Sequence, residues 1–355
     1  MKKVSIILLL CLSFGIQAQA PKKSDWEKDG LAGPVKRIEL WRIEYQLENG
    51  RTVENKRVLL RATSYNSEGG KDEQVDFDPF GKRQQKIVYT YDSLGRFTGY
   101  DEYYRDADNP RKHIYFLNSD GNPTEYNVYD ADGSPAGKFF YKYDAAGNKT
   151  EEIFQSWNGS RIGRVVSTYD EKGNQLTQTS YGQDNAISWN TVLSYDREGR
   201  RLGWIQYQKG TLRYKIFSKY DEKGRIVEQE TFEFNAPSNM ITSHAPVPGK
   251  VLYAYDDEKR TREVATYSAD GQLSSSILYT YDEKGNQIAD ASSKPDGSSD
   301  DKVIQFSTGR LSGRPIIRFD YDEHGNWLRK SYLIQPADSD KPKAYSGEYR
   351  VITYF

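Results

Sequence analysis

The chain has 355 residues, with 50 Lys plus Arg against 51 Asp plus Glu and a formal net charge of −1. That balance excludes an electrostatic grip on nucleic acid or on an anionic membrane surface, either of which needs clustered positive charge. Tyrosine is over-used, at 28 copies against 14 Phe and 6 Trp, and hydrophobic residues make up only 36%, which points to a broad sheet with little deep core, each Tyr ring packed and its hydroxyl in water.

Residues 1–18 read as a cleaved signal peptide. Lys2 and Lys3 precede an apolar run from Val4 to Gly15, and cutting after Ala18 avoids the Pro21 that would flank a cut after Ala20. The run is too short to span a bilayer. It contains Cys11, the only cysteine, behind three leucines, so no lipid anchor is expected and the mature chain has no thiol for disulfide, catalysis or zinc. The expected location is exported: periplasm, outer-membrane surface or extracellular. Residues 19–56, with Gly33-Pro34-Val35 and Glu48-Asn49-Gly50, predict an N-terminal segment and an atypical strand pair capping a repeat array.

That array runs from 57 to 335. Tyr143, Tyr169, Tyr195 and Tyr220 are spaced by 26, 26 and 25 residues, and Tyr255 and Tyr281 by 26. Such a period means stacked structural units. Tyr91 and Tyr321 head further copies, and Leu117 and Tyr65 mark degenerate ones in register, making ten units. Before each marker, apolar residues alternate (Ile87/Tyr89/Tyr91, Phe139/Tyr141/Tyr143, Ile277/Tyr279/Tyr281), which places them on one face of a strand.

After each marker comes a turn. Asp92 with Gly95, Asp144 with Gly147, Asp170 with Gly173 and Asp196 with Gly199 are four such pairs. Asp221 with Gly224, Asp282 with Gly285 and Asp322 with Gly325 are three more. The aspartate accepts from backbone two residues on, and the glycine supplies the positive φ of a short bulged hairpin. A looser turn comes about twelve residues past each marker. The fold class is therefore all-β: about 20 antiparallel strands in a hairpin array, expected to form a long twisted or coiled sheet. Insertions near 235–250 and 289–315 are expected in loops, and residues 336–355 form a terminal strand or cap.

The iterated Tyr-x-Tyr-Asp-x-x-Gly-Arg/Asn resembles the YD repeat of rearrangement-hotspot (RHS) proteins, teneurins and the shell components of insecticidal toxin complexes. The likeness covers roughly residues 57–335, with seven well-formed copies and one at Tyr255 that has Lys259 in place of the glycine. It implies a strip of joined hairpins that coils into a spiral, closed in large members around a toxic cargo. This chain is expected to depart from them: no cargo domain is expected after the repeats, and the self-cleaving motif is echoed only at Phe77-Asp78-Pro79-Phe80-Gly81, at the wrong end. It looks more like small exported YD-repeat proteins of Gram-negative bacteria.

Candidate chemistry is sparse. The repeated aspartates, one per turn and about 10 Å apart, supply at most two carboxylates to an ion, short of the six to eight oxygens calcium takes. His113, His244 and His324 have no metal-pair spacing, and no nucleophile motif accompanies them. No cofactor or metal is expected, and no enzyme. Trp157, Trp189 and Trp204, with Tyr181 and Tyr207, fall in consecutive units; on one exposed face they would stack on sugar rings, against the alternative of cross-strand packing. The sequence thus predicts a non-catalytic binding or structural protein of the envelope, with a glycan or envelope protein as partner. An outer-membrane β-barrel is the first alternative, favoured by the aromatic-ended tail Tyr349 to Phe355, and an enzyme or toxin-shell component the second.

Overall fold

In the computed structural model, residues 24–234, 249–268, 270–293, 302–306 and 309–355 are described. The signal peptide with Cys11, the core of the 235–250 insertion with His244, and residues 294–301 and 307–308 of the 289–315 insertion lie outside them; the described parts of that second insertion are strand, which corrects the expected loop. The strands in chain order are β1 Val35–Glu48, β2 Arg51–Tyr65, β3 Lys71–Phe77, β4 Arg83–Tyr91, β5 Phe97–Tyr104, β6 Arg111–Leu117, β7 Pro123–Tyr129 and β8 Pro135–Tyr143. Next come β9 Lys149–Gln155, β10 Arg161–Tyr169, β11 Gln175–Tyr181, β12 Ile187–Tyr195, β13 Arg201–Gln208, β14 Thr211–Tyr220, β15 Ile226–Glu233 and β16 Gly249–Asp256. The last are β17 Thr261–Tyr267, β18 Leu273–Tyr281, β19 Gln287–Ser293, β20 Lys302–Phe306, β21 Gly309–Tyr321, β22 Trp327–Gln335 and β23 Lys343–Tyr354.

Every strand pairs antiparallel with its chain neighbour, except that β19 passes over β20 to β21, and β20 pairs with β21 alone. The decisive contact joins the ends: β1 pairs with β23 from Val35↔Tyr354 to Glu44↔Ser346. The sheet is therefore a closed barrel of 22 strands. The long twisted or coiled strip expected from the repeat is corrected on this point. The two predicted caps are each other's partners, so neither edge is left unpaired.

The turns explain the hairpins. Asp92 Oδ1 accepts from the N–H groups of Leu94 (3.0 Å) and Arg96 (2.9 Å), and Gly95 closes the bend at φ 71°. The degenerate copies use asparagine the same way: Asn118 and Asn66 each accept two backbone N–H bonds. At Tyr255, where glycine is missing, the turn is rebuilt with Arg260 at φ 52°, and the register shift found beside the other turns is absent. These turns all lie at one rim.

The register also fixes which face is inside. In a strand running upward with its side chain toward the observer, an L-residue points its N–H and C=O to the right. Asp92 bonds Arg96 on the next strand while its neighbour Tyr91 faces the other way. Seen from the face opposite the tyrosines, successive strands therefore run to the right. Tracing partners round the ring in that direction drops about 24 residues away from the turn rim per circuit. Barrel strands coil right-handed, so the observer stands outside and the marker tyrosines line the lumen. That shear gives a strand tilt of about 40° and a backbone radius of about 20 Å.

The wall is a single layer. Strands pack chiefly against their ring neighbours, and β2 also approaches β23. The buried apolar side chains concentrate where the ends meet: Val35, Ile38 and Ile43 on β1, Val58, Ala62 and Tyr65 on β2, Leu333 and Ile334 on β22. Residues 24–34 close the same region from the lumenal side. Ser24 caps a four-residue helix, Asp25–Lys28, and Leu31 packs with Val35, Ile38 and Tyr65. Asp25 N–H donates to Gly69 O (2.8 Å) and Ala32 N–H to Asn326 Oδ1 (2.7 Å), so the segment ties the turns on either side of the seam.

Candidate functional site: the lumenal aromatic wall

Alternation sends the apolar row of each unit inward, and the antiparallel register sets those rows side by side. On β5 to β9 they form one stack. Phe97 meets Tyr115 (ring centroids 5.6 Å), Tyr115 lies flat on Tyr126 (4.4 Å), Tyr126 meets Phe139 (5.4 Å), and Phe139 lies flat on Phe154 (4.6 Å). These rings are neither buried in a core nor fully exposed, apart from Phe97 at the exposed edge of the stack. Each lends one face to its neighbour and leaves surface toward the lumen.

His113 is set into this stack. Its ring lies on Tyr100 (4.1 Å, 10° between planes), Nδ1 is 2.5 Å from the Tyr126 hydroxyl, and Nε2 is 3.4 Å from Glu102. Burial disfavours the imidazolium and pushes the pKa below the usual value, with Glu102 opposing. The same burial raises the phenols of Tyr126 and Tyr100. The group is thus a neutral, hydrogen-bonded aromatic surface at neutral pH.

The five aromatic residues singled out in the sequence do not share a face. Trp189 and Trp204 are lumenal on adjacent strands, Trp204 opposite Leu193 and 6.3 Å from Tyr214. Tyr181 and Tyr207 point outward, each twelve residues past its marker, in a row with Tyr103, Tyr129, Phe232 and Tyr267. Their cross-strand partners are mostly cations: Lys86 faces Tyr103, and Arg164 stands 4.6 Å from the Tyr181 ring. Trp157 sits in a turn at the far rim, against Tyr129 (5.3 Å) and under Lys138. What the sequence did not single out is the Phe97 to Phe154 stack, although its signal was present: every member keeps the parity of a marker tyrosine once the bulge after each turn is counted.

The marker tyrosines themselves are structural. The Tyr91, Tyr169, Tyr195, Tyr220 and Tyr255 hydroxyls donate to Lys71, Lys149, Gln175, Arg201 and Ile226 carbonyls of the adjoining strand at 2.8–2.9 Å. Their hydroxyls are not left to water, which corrects the expectation from composition. The turn aspartates are likewise engaged: Asp144 and Asp170 hold the Asn148 and Asn174 amides, and Asp196 and Asp221 hold Arg200 and Arg225. Their pKa values are lowered, for Asp170 chiefly by Asn174 and for Asp221 by the Arg225 backbone N–H. Among the described residues no three His, Cys, Asp or Glu side chains converge as a metal site.

The outer face is of mixed character. One row is apolar, through Val88, Ile114, Phe140, Val166, Val192, Phe217, Leu252 and Leu278. Ion pairs flank it: Lys86–Glu73, Lys138–Glu125, Lys142–Glu151, Arg164–Glu151, Lys219–Glu228 and Lys250–Glu228. No helix of the described residues is long and apolar enough to cross a membrane.

No family model and no curated protein matches the chain. Among solved structures, the chain is similar to the toxin-complex assembly TcdB2-TccC3-TEV at 12% identity and a TM-score of 0.41, over 86% of this chain and 18% of that one. TcdB2-TccC3 gives 11% and 0.36, over 87% and 22%. A porin-like protein from Bacteroides uniformis gives 12% and 0.29, over 91% of this chain and 99% of that one. The chain thus spans about a fifth of the toxin-complex chains, and likeness at this level carries no argument about function.

Proposed function

We propose that this is an exported, non-catalytic binding protein of the envelope, a water-soluble barrel whose lumenal aromatic wall takes a glycan. The observation that carries the reading is the continuous aromatic row from Phe97 to Phe154, a wall of ring edges interrupted by hydroxyls, facing a lumen roughly 25 Å across once side chains are allowed for. Sugar rings present apolar faces edged by hydroxyl groups, and such a wall meets both. The test is a binding panel of envelope and dietary glycans, with Tyr115→Ala and Phe139→Ala as wall variants. Binding weakened at least tenfold by either substitution supports the reading; failure of the whole panel sinks it.

A membrane-spanning barrel is the second reading, and ring closure favours it. The outer face argues against it. A lipid-facing wall needs an apolar band about 25 Å tall, and a charge at the midplane costs about 2–4 kcal/mol; here the apolar row is one residue high between the Lys and Glu rows. Fractionation separates the two, since a soluble barrel is released without detergent.

A further inference from the structure

We infer that the cavity between residues 29–31 and the lumenal wall at the seam is a binding site for a single carboxylate group, read by Arg350. The cavity measures about 180 Å³. Its floor is the lumenal face of β1, β2, β3 and β23, its roof is Asp29 and Leu31, and three cations line it: Arg61, Lys71 and Arg350.

Two of the three are already matched. Lys71 Nζ lies 2.9 Å from Asp29, whose carboxylate also takes the Tyr65 hydroxyl at 2.6 Å. Arg61 pairs with Asp76 on the next strand. Arg350 is different. The carbon of its guanidinium sits over the Trp327 ring, 3.7 Å from the centroid, and its Nε is buried with no hydrogen-bond partner. Asp29 and Glu348 act on it electrostatically, but among the described residues no carboxylate is within ion-pair reach. Burial outweighs these distant charges and pushes its pKa down, the reverse of what a closely paired arginine shows.

A half-buried guanidinium, fixed against an aromatic ring and lacking an acceptor, is pre-organised for a planar two-oxygen ligand. Arg61 adds positive potential, and the Thr63 hydroxyl lines the same space. The volume suits the carboxylate and its first few attached atoms. A peptide C-terminus and a uronic acid both present that group. The site is separate from the Phe97 to Phe154 wall and stands whatever that wall binds.

The experiment titrates the full chain with acetate at constant ionic strength held by chloride, reading tryptophan fluorescence and the melting temperature. N-acetylalanine and glucuronate serve as further arms for the two sources. The expected result is a saturable fluorescence change and a rise in melting temperature with acetate, weakened at least tenfold in Arg350→Met, which keeps a side chain over Trp327. The arm that binds more tightly names the source. Should Arg350→Met fail to fold, Arg61→Gln serves, with binding weakened several-fold. No saturable response to acetate, or an unchanged one in the variant that folds, overturns the assignment.

Discussion

The hydroxyl of Tyr195 donates to the carbonyl oxygen of Gln175, 2.9 Å away, where the adjoining strand leaves its own turn. That bond recurs at Tyr91, Tyr169, Tyr220 and Tyr255, so each of these markers locks its hairpin to the one before. In the other direction, Arg200 donates to the Asp221 carbonyl of the next turn (3.2 Å) and Arg96 to that of Asn118 (3.3 Å). Such links recur along the turn rim, a role phenylalanine could not fill at these markers.

Removing only the hydroxyl isolates that link. Tyr195→Phe is expected to cost about 1 kcal/mol, the net worth of one hydrogen bond with a carbonyl left unsatisfied. Tyr195→Ala also removes the ring and should cost about 3 kcal/mol. Urea unfolding measures both, and a neutral Tyr195→Phe would show that the hydroxyl contributes nothing.

Two glycines set a conformational demand alone against one combined with a steric clash, since Gly99 also has a positive φ of 152°. Gly285 has φ 79° with open space where a Cβ would go, so Gly285→Ala is expected to cost only the left-handed backbone penalty, about 1 kcal/mol. At Gly99 a Cβ would stand 2.0 Å from the His113 carbonyl oxygen on the paired strand. Gly99→Ala must therefore spread β5 from β6 and should cost well over about 3 kcal/mol or prevent folding. Equal melting temperatures for the two variants would contradict this account.

Acid should loosen the turn rim. The carboxyls of Asp144, Asp170 and Asp196 titrate lower in the folded chain than unfolded, because their oxygens accept hydrogen bonds that favour the ionised form. Their contribution is complete above the unfolded value near about 4 and is lost as pH falls through the folded values. Asp170→Asn retains an acceptor, as Asn118 does naturally. It should slightly lower the melting temperature at pH 7 and make the fall between pH 5 and 2 shallower.

Ten units, their turn chemistry and the single face shared by the residues before each marker were all legible, because each depends on residues within one hairpin. Closure was not. It depends on a register offset accumulated over the whole ring and on Val35 meeting Tyr354 at the opposite end of the chain, and no single repeat carries either. The split of Trp189 from Tyr181 was missed for a local reason: the bulge after each turn shifts the alternation by one, so proximity in sequence did not mean a common face. The cavity at Arg350 draws on four strands and the N-terminal segment, and no motif announces it.

The central claim is that the sheet closes on itself, and a distance across the seam tests it most directly. Glu39 and Val351 are paired on the outer face of β1 and β23. In a chain with Cys11→Ser, spin labels at Glu39→Cys and Val351→Cys should lie within about 20 Å, the spacing of adjacent strands plus two label arms. A distribution centred at many tens of ångströms, as an open strip about 100 Å wide would give, would contradict the barrel.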